Sequence, residues 1–232
     1  MKTIGLIGGM SWESTAIYYR LMNQMVRRRL GGVHSAKLLL WSFDFHDVAE
    51  RQHADDWQGA TAMMVDAARR LEAVGAEALV ICTNTMHKMA DDIQAASAVP
   101  LIHIADATAE AMKAAGVAEP ALLATRFTME QDFYKGRLAA RHGIRAVTPD
   151  EAGRAVVHRI IYEELVRGLV EPSSKEAYLT EVARLRKAGD IDGLIMGCTE
   201  ITMLIGQDDF DIPVFDTTAL HAAAAVEFCL ST

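Results

Sequence analysis

Three short apolar segments occur twice in this chain in the same order, and that repetition restricts its possible folds more than any other feature. Ile-Gly-Leu-Ile-Gly-Gly at 4–9 is matched by Pro-Ala-Leu-Leu-Ala-Thr at 120–125, and Ala-Leu-Val-Ile-Cys-Thr at 78–83 by Gly-Leu-Ile-Met-Gly-Cys at 193–198. The third pair is Val-Pro-Leu-Ile-His at 99–103 and Ile-Pro-Val-Phe-Asp at 212–216. Short apolar runs alternate with longer helix-like stretches, the pattern of βαβ units around parallel sheets. Strands are predicted at Thr3–Ile7, Lys37–Ser42, Ala78–Ile81, Leu101–Ile102, Ala121–Ala124, Arg145–Val147, Leu194–Met196 and Val214–Phe215. Helices are predicted at Ser14–Arg29, Trp57–Val74, Asp106–Ala115, Met129–Arg141, Asp150–Arg167 and Ser173–Ala188, with Gly168 ending one and Pro172, Ser173 and Ser174 capping the next. Strands of α/β proteins resemble one another in general, but three matches in register suggest duplication. The expected fold is α/β, with two pseudo-symmetric lobes, each a parallel sheet flanked by helices, and the active site in the cleft between them. The first lobe is expected over residues 1–115 and the second over 116–216, with a C-terminal helix at 217–232 packing back onto the first.

A length of 232 residues suffices for two such cores. The formal charge of −8 argues against nucleic acid as a partner, since the only basic run, Arg27 to Arg29, lies on a predicted helix and reads as a solvated face. The N-terminal stretch turns glycine-rich too soon for a signal peptide, and no run approaches the roughly 18 to 20 apolar residues of a membrane span. Three cysteines, Cys82, Cys198 and Cys229, are odd in number and far apart, which suits a reducing cytoplasm better than a disulfide framework. Cys229, between Phe228 and Leu230, reads as a buried hydrophobe.

The repeat also ranks the other two thiols. Its register sets Cys82 opposite Gly197 and Thr83 opposite Cys198. Both segments are expected where a strand ends and a helix begins, a position that lowers a thiol pKa. A proton-transferring group on each wall of a cleft can move a proton from one face of a carbon to the other.

Gly8-Gly9-Met10-Ser11, Asn84-Thr85-Met86-His87, Gly197-Cys198-Thr199-Glu200 and Pro213-Val214-Phe215-Asp216-Thr217 together span the chain. In these motifs it resembles the cofactor-independent aspartate/glutamate racemases, close to the enterobacterial L-aspartate/glutamate-specific branch. The resemblance implies two pseudo-symmetric lobes, no cofactor and a proton moved across the substrate Cα by two bases. Typical members carry Cys-Asn-Thr, whereas here Thr83 precedes Asn84 and Cys82 stands one residue earlier. Adjacent residues of an extended segment point to opposite sides. Thr83 and Cys198 are therefore the expected catalytic pair, with Cys82 as the alternative base if a local bulge brings it into the cleft.

The same map places Asn84, Thr85 and Thr199 as donors to substrate carboxylates at helix N-termini, with Glu200 of the last motif beside them. Capping is the competing role for Thr85 and Thr199. Gly8, Gly9 and Met10 form the first strand-end loop, and Thr125 is its counterpart. For the substrate side chain, Gln52 and Val166 occupy the places of the arginine and lysine sought in related aspartate racemases, with Arg51, Arg167 and Arg126 nearby. His87 and His103 are read either as orienting groups or as structural histidines. No His-Glu-x-x-His or C-x-x-C occurs, so no metal is expected, and Gly-Leu-Ile-Gly-Gly lacks the spacing of a dinucleotide fingerprint. For partners the expectation is a small-molecule amino acid, with neither nucleic acid nor membrane, and a homodimer as the candidate assembly. Two alternatives stand beside racemisation of L-aspartate and L-glutamate: a broad-specificity racemase of neutral amino acids, and a non-catalytic amino-acid-binding protein.

Overall fold

The computed structural model describes residues 1–189 and 191–231. They form two compact units, one of Met1–Ile104 with the segment from His221, the other of Ala105–Leu220. In the first unit the order is β1 (Ile4–Gly8), α1 (Trp12–Leu30), β2 (Leu38–Ser42), α2 (Phe45–His53), α3 (Trp57–Ala73), β3 (Ala78–Ile81), a 3-10 helix at Thr85–Met89, α4 (Ala90–Ala96) and β4 (Leu101–Ile102). Its parallel sheet runs β2-β1-β3-β4. The second unit contains α5 (Ile104–Ala114), β5 (Pro120–Ala124), α6 (Arg126–Glu130), α7 (Asp132–His142), α8 (Glu151–Glu163), α9 (Pro172–Ala188), β6 (Gly193–Gly197), a 3-10 helix at Thr199–Met203 and β7 (Val214–Asp216). Its parallel sheet runs β5-β6-β7.

Strands β1, β3 and β6 are buried at every position, as central parallel strands covered on both faces must be, and so is β5, whose outer side meets Val147. On α1, Ser14, Thr15, Tyr18, Met22 and Val26 form a buried stripe at helical spacing, and the Ser11 hydroxyl caps the helix by accepting the Ser14 N–H. Met22 and Val26 are fully buried, each adding about 1.5–3 kcal/mol of hydrophobic stabilisation. The duplication appears in the ladders. Ile4 pairs with Ala78 and Ile7 with Ile81, while their counterparts Pro120 and Leu123 pair with Gly193 and Met196.

α10 (Thr217–Leu230) starts in the second unit and crosses into the first at His221, where Ala222, Ala225, Val226 and Cys229 pack with Ile4, Leu6, Val80 and Cys82. Residue 232 of the predicted helix lies outside the described residues. The division between the units falls at 104 and 220 rather than at 115 and 216. α5 is bound to the second unit because Asp106 takes a bidentate pair from Arg137 and a further contact from His142, both on α7.

Several predicted elements differ in detail. The predicted strand Arg145–Val147 is a single parallel bridge, Val147 to Ala121, because Pro120 has no N–H for the Arg145 carbonyl and Pro149 has none for that of Leu122. The helix expected at Met129–Arg141 breaks at Gln131, whose ψ of 155° is extended, leaving α6 and α7. That at Asp150–Arg167 ends at Glu163 and finishes as a 3-10 turn, Leu165–Arg167, stopped by left-handed Gly168. α9 is not capped by Ser173 or Ser174: Glu171 is the N-cap and Ser174 donates its hydroxyl to Glu164. α2 and α4 were not expected. Among the described residues no helix is long and apolar enough to cross a membrane.

Candidate active site

At the end of β3 the alternation of side chains decides where each residue goes. Ala78, Val80 and Cys82 enter the core under α1 and α10, whereas Leu79 and Ile81 enter the one under α2 and α3. Cys82 is 0% exposed, and burial pushes its thiol far up. Thr83, one residue on, is half-buried. Its carbonyl accepts the Nδ1–H of His87 at 2.8 Å, while His87 Nε2 accepts the Ile104 N–H at 3.2 Å. Both ring nitrogens are thereby engaged, and the imidazole is the neutral Nδ1–H tautomer. The rings of His103 and His221 lie 4.6 and 5.5 Å from that of His87. His221 donates its Nε2–H to the Ile102 carbonyl at 2.7 Å and accepts the Tyr18 hydroxyl on Nδ1 at 2.8 Å. Burial drives its pKa down to about 4, and the Ile102 carbonyl opposes this only in part.

The strand-end loop after β1 is shaped by Gly9, whose φ is 83° and at which a Cβ would fall 2.2 Å from the Phe43 carbonyl oxygen. Its N–H donates to the Thr15 hydroxyl at 2.8 Å. Met10 follows, but its side chain belongs to the core with Val48 and Met86. Gln52, buried on α2, donates its side-chain N–H to the Met86 sulfur at 3.2 Å and so reaches the segment that carries Asn84 and Thr85, both buried. Arg51 turns instead to Asp56, at 2.5 Å, and to the Met63 sulfur. A groove of about 1000 Å³ along α2, bordered by His46, Glu50, Arg51 and Asp56, contains none of the strand-end residues.

In the second unit Ala124 pairs with Gly197, so Thr125 and Cys198 follow at neighbouring strand ends. Gly197 has no room for a side chain, since a Cβ would lie 2.8 Å from that of Ala124. The half-buried Cys198 donates its thiol proton to the buried Glu200 carboxylate at 2.9 Å. Burial first, then the charge and hydrogen bond of Glu200, raise this thiol well above its ordinary value, against the lesser pull of the Thr199 and Glu200 N–H groups. The expectation of a lowered thiol pKa is therefore corrected. The helices that follow Asn84 and Cys198 are 3-10 helices of 5 residues, too short for a substantial dipole, and a carboxylate sits on the sulfur.

α10 holds the Cys198 loop with its first turn. Thr217 donates to the Met196 carbonyl at 2.9 Å, Thr218 shares a 3.0 Å hydrogen bond with Thr199, and Asp216 accepts the N–H groups of Thr218 and Ala219. Thr125 and Thr128 share a hydroxyl contact at 3.2 Å. Neither Thr85 nor Thr199 is a cap; Asn84 and Cys198 hold those positions, without side-chain cap bonds. Val166 is half-buried on the 3-10 turn, and Arg167 and Arg126 are exposed. Cys229 donates to the Lys2 carbonyl at 3.1 Å.

Sequence reasoning missed His158 and Tyr162, which stand four apart on α8 with ring centroids 4.5 Å apart. His158 Nδ1 accepts the Arg126 N–H at 3.3 Å. The Tyr162 hydroxyl is raised by burial and then by Cys198 and Glu200, with Arg126 acting the other way. The visible signal was the interruption of the apolar stripe Val157, Ile160 and Ile161 by two polar aromatics at helical spacing. Among the described residues no group of His, Cys, Asp and Glu side chains is placed to hold a metal ion.

Comparison with known proteins accords with this arrangement. A crystal structure of a candidate Asp/Glu racemase from Yersinia pestis is 53% identical, with each chain covering 100% of the other and a TM-score of 0.94. That of an aspartate racemase homologue from Pyrococcus horikoshii is 34% identical over 100% of both chains, with a TM-score of 0.87. The broad-specificity amino-acid racemase RacX of Bacillus subtilis is 21% identical over 98% of each chain. The profile of the Asp/Glu/hydantoin racemases matches residues 7–225. With duplicated parallel sheets and a polar strand end in each unit, the chain belongs to the Asp/Glu/hydantoin racemase family.

Proposed function

We propose that this racemase inverts L-aspartate and L-glutamate without a cofactor, with Cys198 and Thr83 serving opposite faces of the substrate Cα. The observation that carries the reading is the contact between Cys198 and Glu200. A thiol must lose its proton before it can take one from carbon, and here a buried carboxylate lies ready to receive it. The raised pKa makes the thiolate scarcer at neutral pH but more basic toward a carbon acid once formed. Cys82 is core, which leaves Thr83 as the residue equivalent to Cys198. Asn84, Thr85 and Thr199 are the proposed hydrogen-bonding partners of the substrate carboxylates.

Thr83 is the weaker partner, because a hydroxyl exchanges protons less readily than a thiol. Most carbanions formed from L-substrate return to Cys198. The expected result in D₂O is deuterium in recovered L-substrate before D-product accumulates, and Thr83→Cys raises inversion relative to that washout. A folded Thr83→Cys protein that binds substrate yet inverts no faster sinks the assignment. The neutral Gln52 amide favours a second reading, a broad-specificity racemase such as RacX. Exchange with neutral amino acids but not with aspartate or glutamate selects it.

A further inference from the structure

We infer that Arg126 is the anchor for the side-chain carboxylate of an acidic substrate and selects aspartate and glutamate over their amides. The inference rests on the racemase reading above and concerns the second unit alone.

The ladder that pairs Ala124 with Gly197 sets Cys198 beside Thr125, and Arg126 is the next residue, the first of α6. Its main chain is fixed by the hydrogen bond from its N–H to His158, whose ring packs on Tyr162. Its guanidinium lies 5.7 Å from the Phe127 ring centroid, is exposed, and joins no ion pair among the described residues. Neighbouring arginines are differently placed: Arg137 pairs with Asp106, Arg154 with Glu130 and Arg159 with Glu164. Tyr162 feels Cys198 and Glu200 as well as Arg126, which puts its hydroxyl within electrostatic range of both the thiol and the guanidinium.

Charge makes the same demand. The thiol is hydrogen-bonded to a carboxylate, so a substrate with a second carboxylate meets repulsion there unless a cation balances it. On the first unit's strand-end segment the nearby α2 side chain is the neutral Gln52, because Arg51 is held by Asp56. A guanidinium suits a carboxylate because it binds in a bidentate fork.

The test measures formation of the D-enantiomer from L-glutamate, L-glutamine, L-aspartate and L-asparagine by the full chain and by Arg126→Gln, Arg126→Lys and Arg167→Gln. Arg126→Gln should lose about 10- to 100-fold in kcat/KM for the two acids, the weight of a charge-assisted hydrogen bond, while the amides change little. Arg126→Lys should keep most of the preference for acids. Equal losses for acids and amides, no loss at all, or a selective loss in Arg167→Gln instead would overturn the assignment. So would a wild-type preference for the amides. A wild type that inverts none of the four and exchanges no α-proton in D₂O refutes the racemase reading itself, and the Arg126 assignment with it.

Discussion

Acidification should destabilise the first unit through one buried imidazole. His221 is fully buried, and its pKa falls from the ordinary 6.5 to about 4 in the folded chain. Above pH 6.5 both folded and unfolded states hold it neutral, and the full stability is present. As pH drops below that value the unfolded chain takes up a proton that the folded chain refuses until about pH 4. At 1.36 kcal/mol per pKa unit the loss across this window is about 3 kcal/mol, after which the contribution levels off. All three tryptophans, Trp12, Trp41 and Trp57, lie in the first unit, so tryptophan fluorescence during urea unfolding reports on that unit. In His221→Gln the amide N–H can still meet the Ile102 carbonyl, but the hydrogen bond between Tyr18 and the Nδ1 position is lost. The variant should be weaker at pH 7.5 by about 0.5–1.5 kcal/mol, the net worth of one hydrogen bond, yet lose about 3 kcal/mol less than wild type between pH 6.5 and 4. Parallel stability curves for the two proteins over that range would refute the reasoning.

Cys198→Ala or Cys198→Ser should abolish α-proton exchange in D₂O, with losses of at least about 10²–10⁴-fold, while Cys82→Ala retains much of it; equal losses in folded proteins would put Cys82 at the substrate. Because Glu200 raises the Cys198 thiol, activity on L-substrate should climb with pH through an apparent pKa above that of a free thiol, and Glu200→Gln should move the same limb to lower pH. A limb unmoved by that substitution, with chemistry rate-limiting, separates Glu200 from the thiol. Gly197→Val places a side chain against Ala124 and Leu122 and should destabilise by about 1–3 kcal/mol while displacing Cys198, which calorimetry and the exchange assay together check.

The parts of this molecule that were legible in sequence depend on neighbours along the chain. Strand alternation set Cys82 and Thr83 on opposite sides, and the matched hexapeptides identified which residues of the two halves correspond, because side-chain direction and apolar pattern follow from local periodicity. The histidine cluster was not legible as a whole: His87 and His103 were noted individually, but His221 joins them only through packing of a helix that starts in the other unit. The direction of the Cys198 shift was misread for a related reason. A thiol at a strand-to-helix turn suggests a positive dipole, whereas the decisive neighbour is a carboxylate two residues on, whose orientation no pattern encodes.

The shared helix α10 also bears on the order in which the molecule can fold. Ile4, Leu6, Val80 and Cys82 are made early, but Ala222, Ala225 and Val226, which cover them, emerge only after the whole second unit has been translated. At bacterial or eukaryotic synthesis rates that interval is on the order of ten seconds. Throughout it the nascent first unit carries an apolar face that α1 covers without α10, and a free thiol, Cys82, within that face. Synthesis from the N-terminus and completion of the core thus run in opposite orders, and the first unit is the last to close.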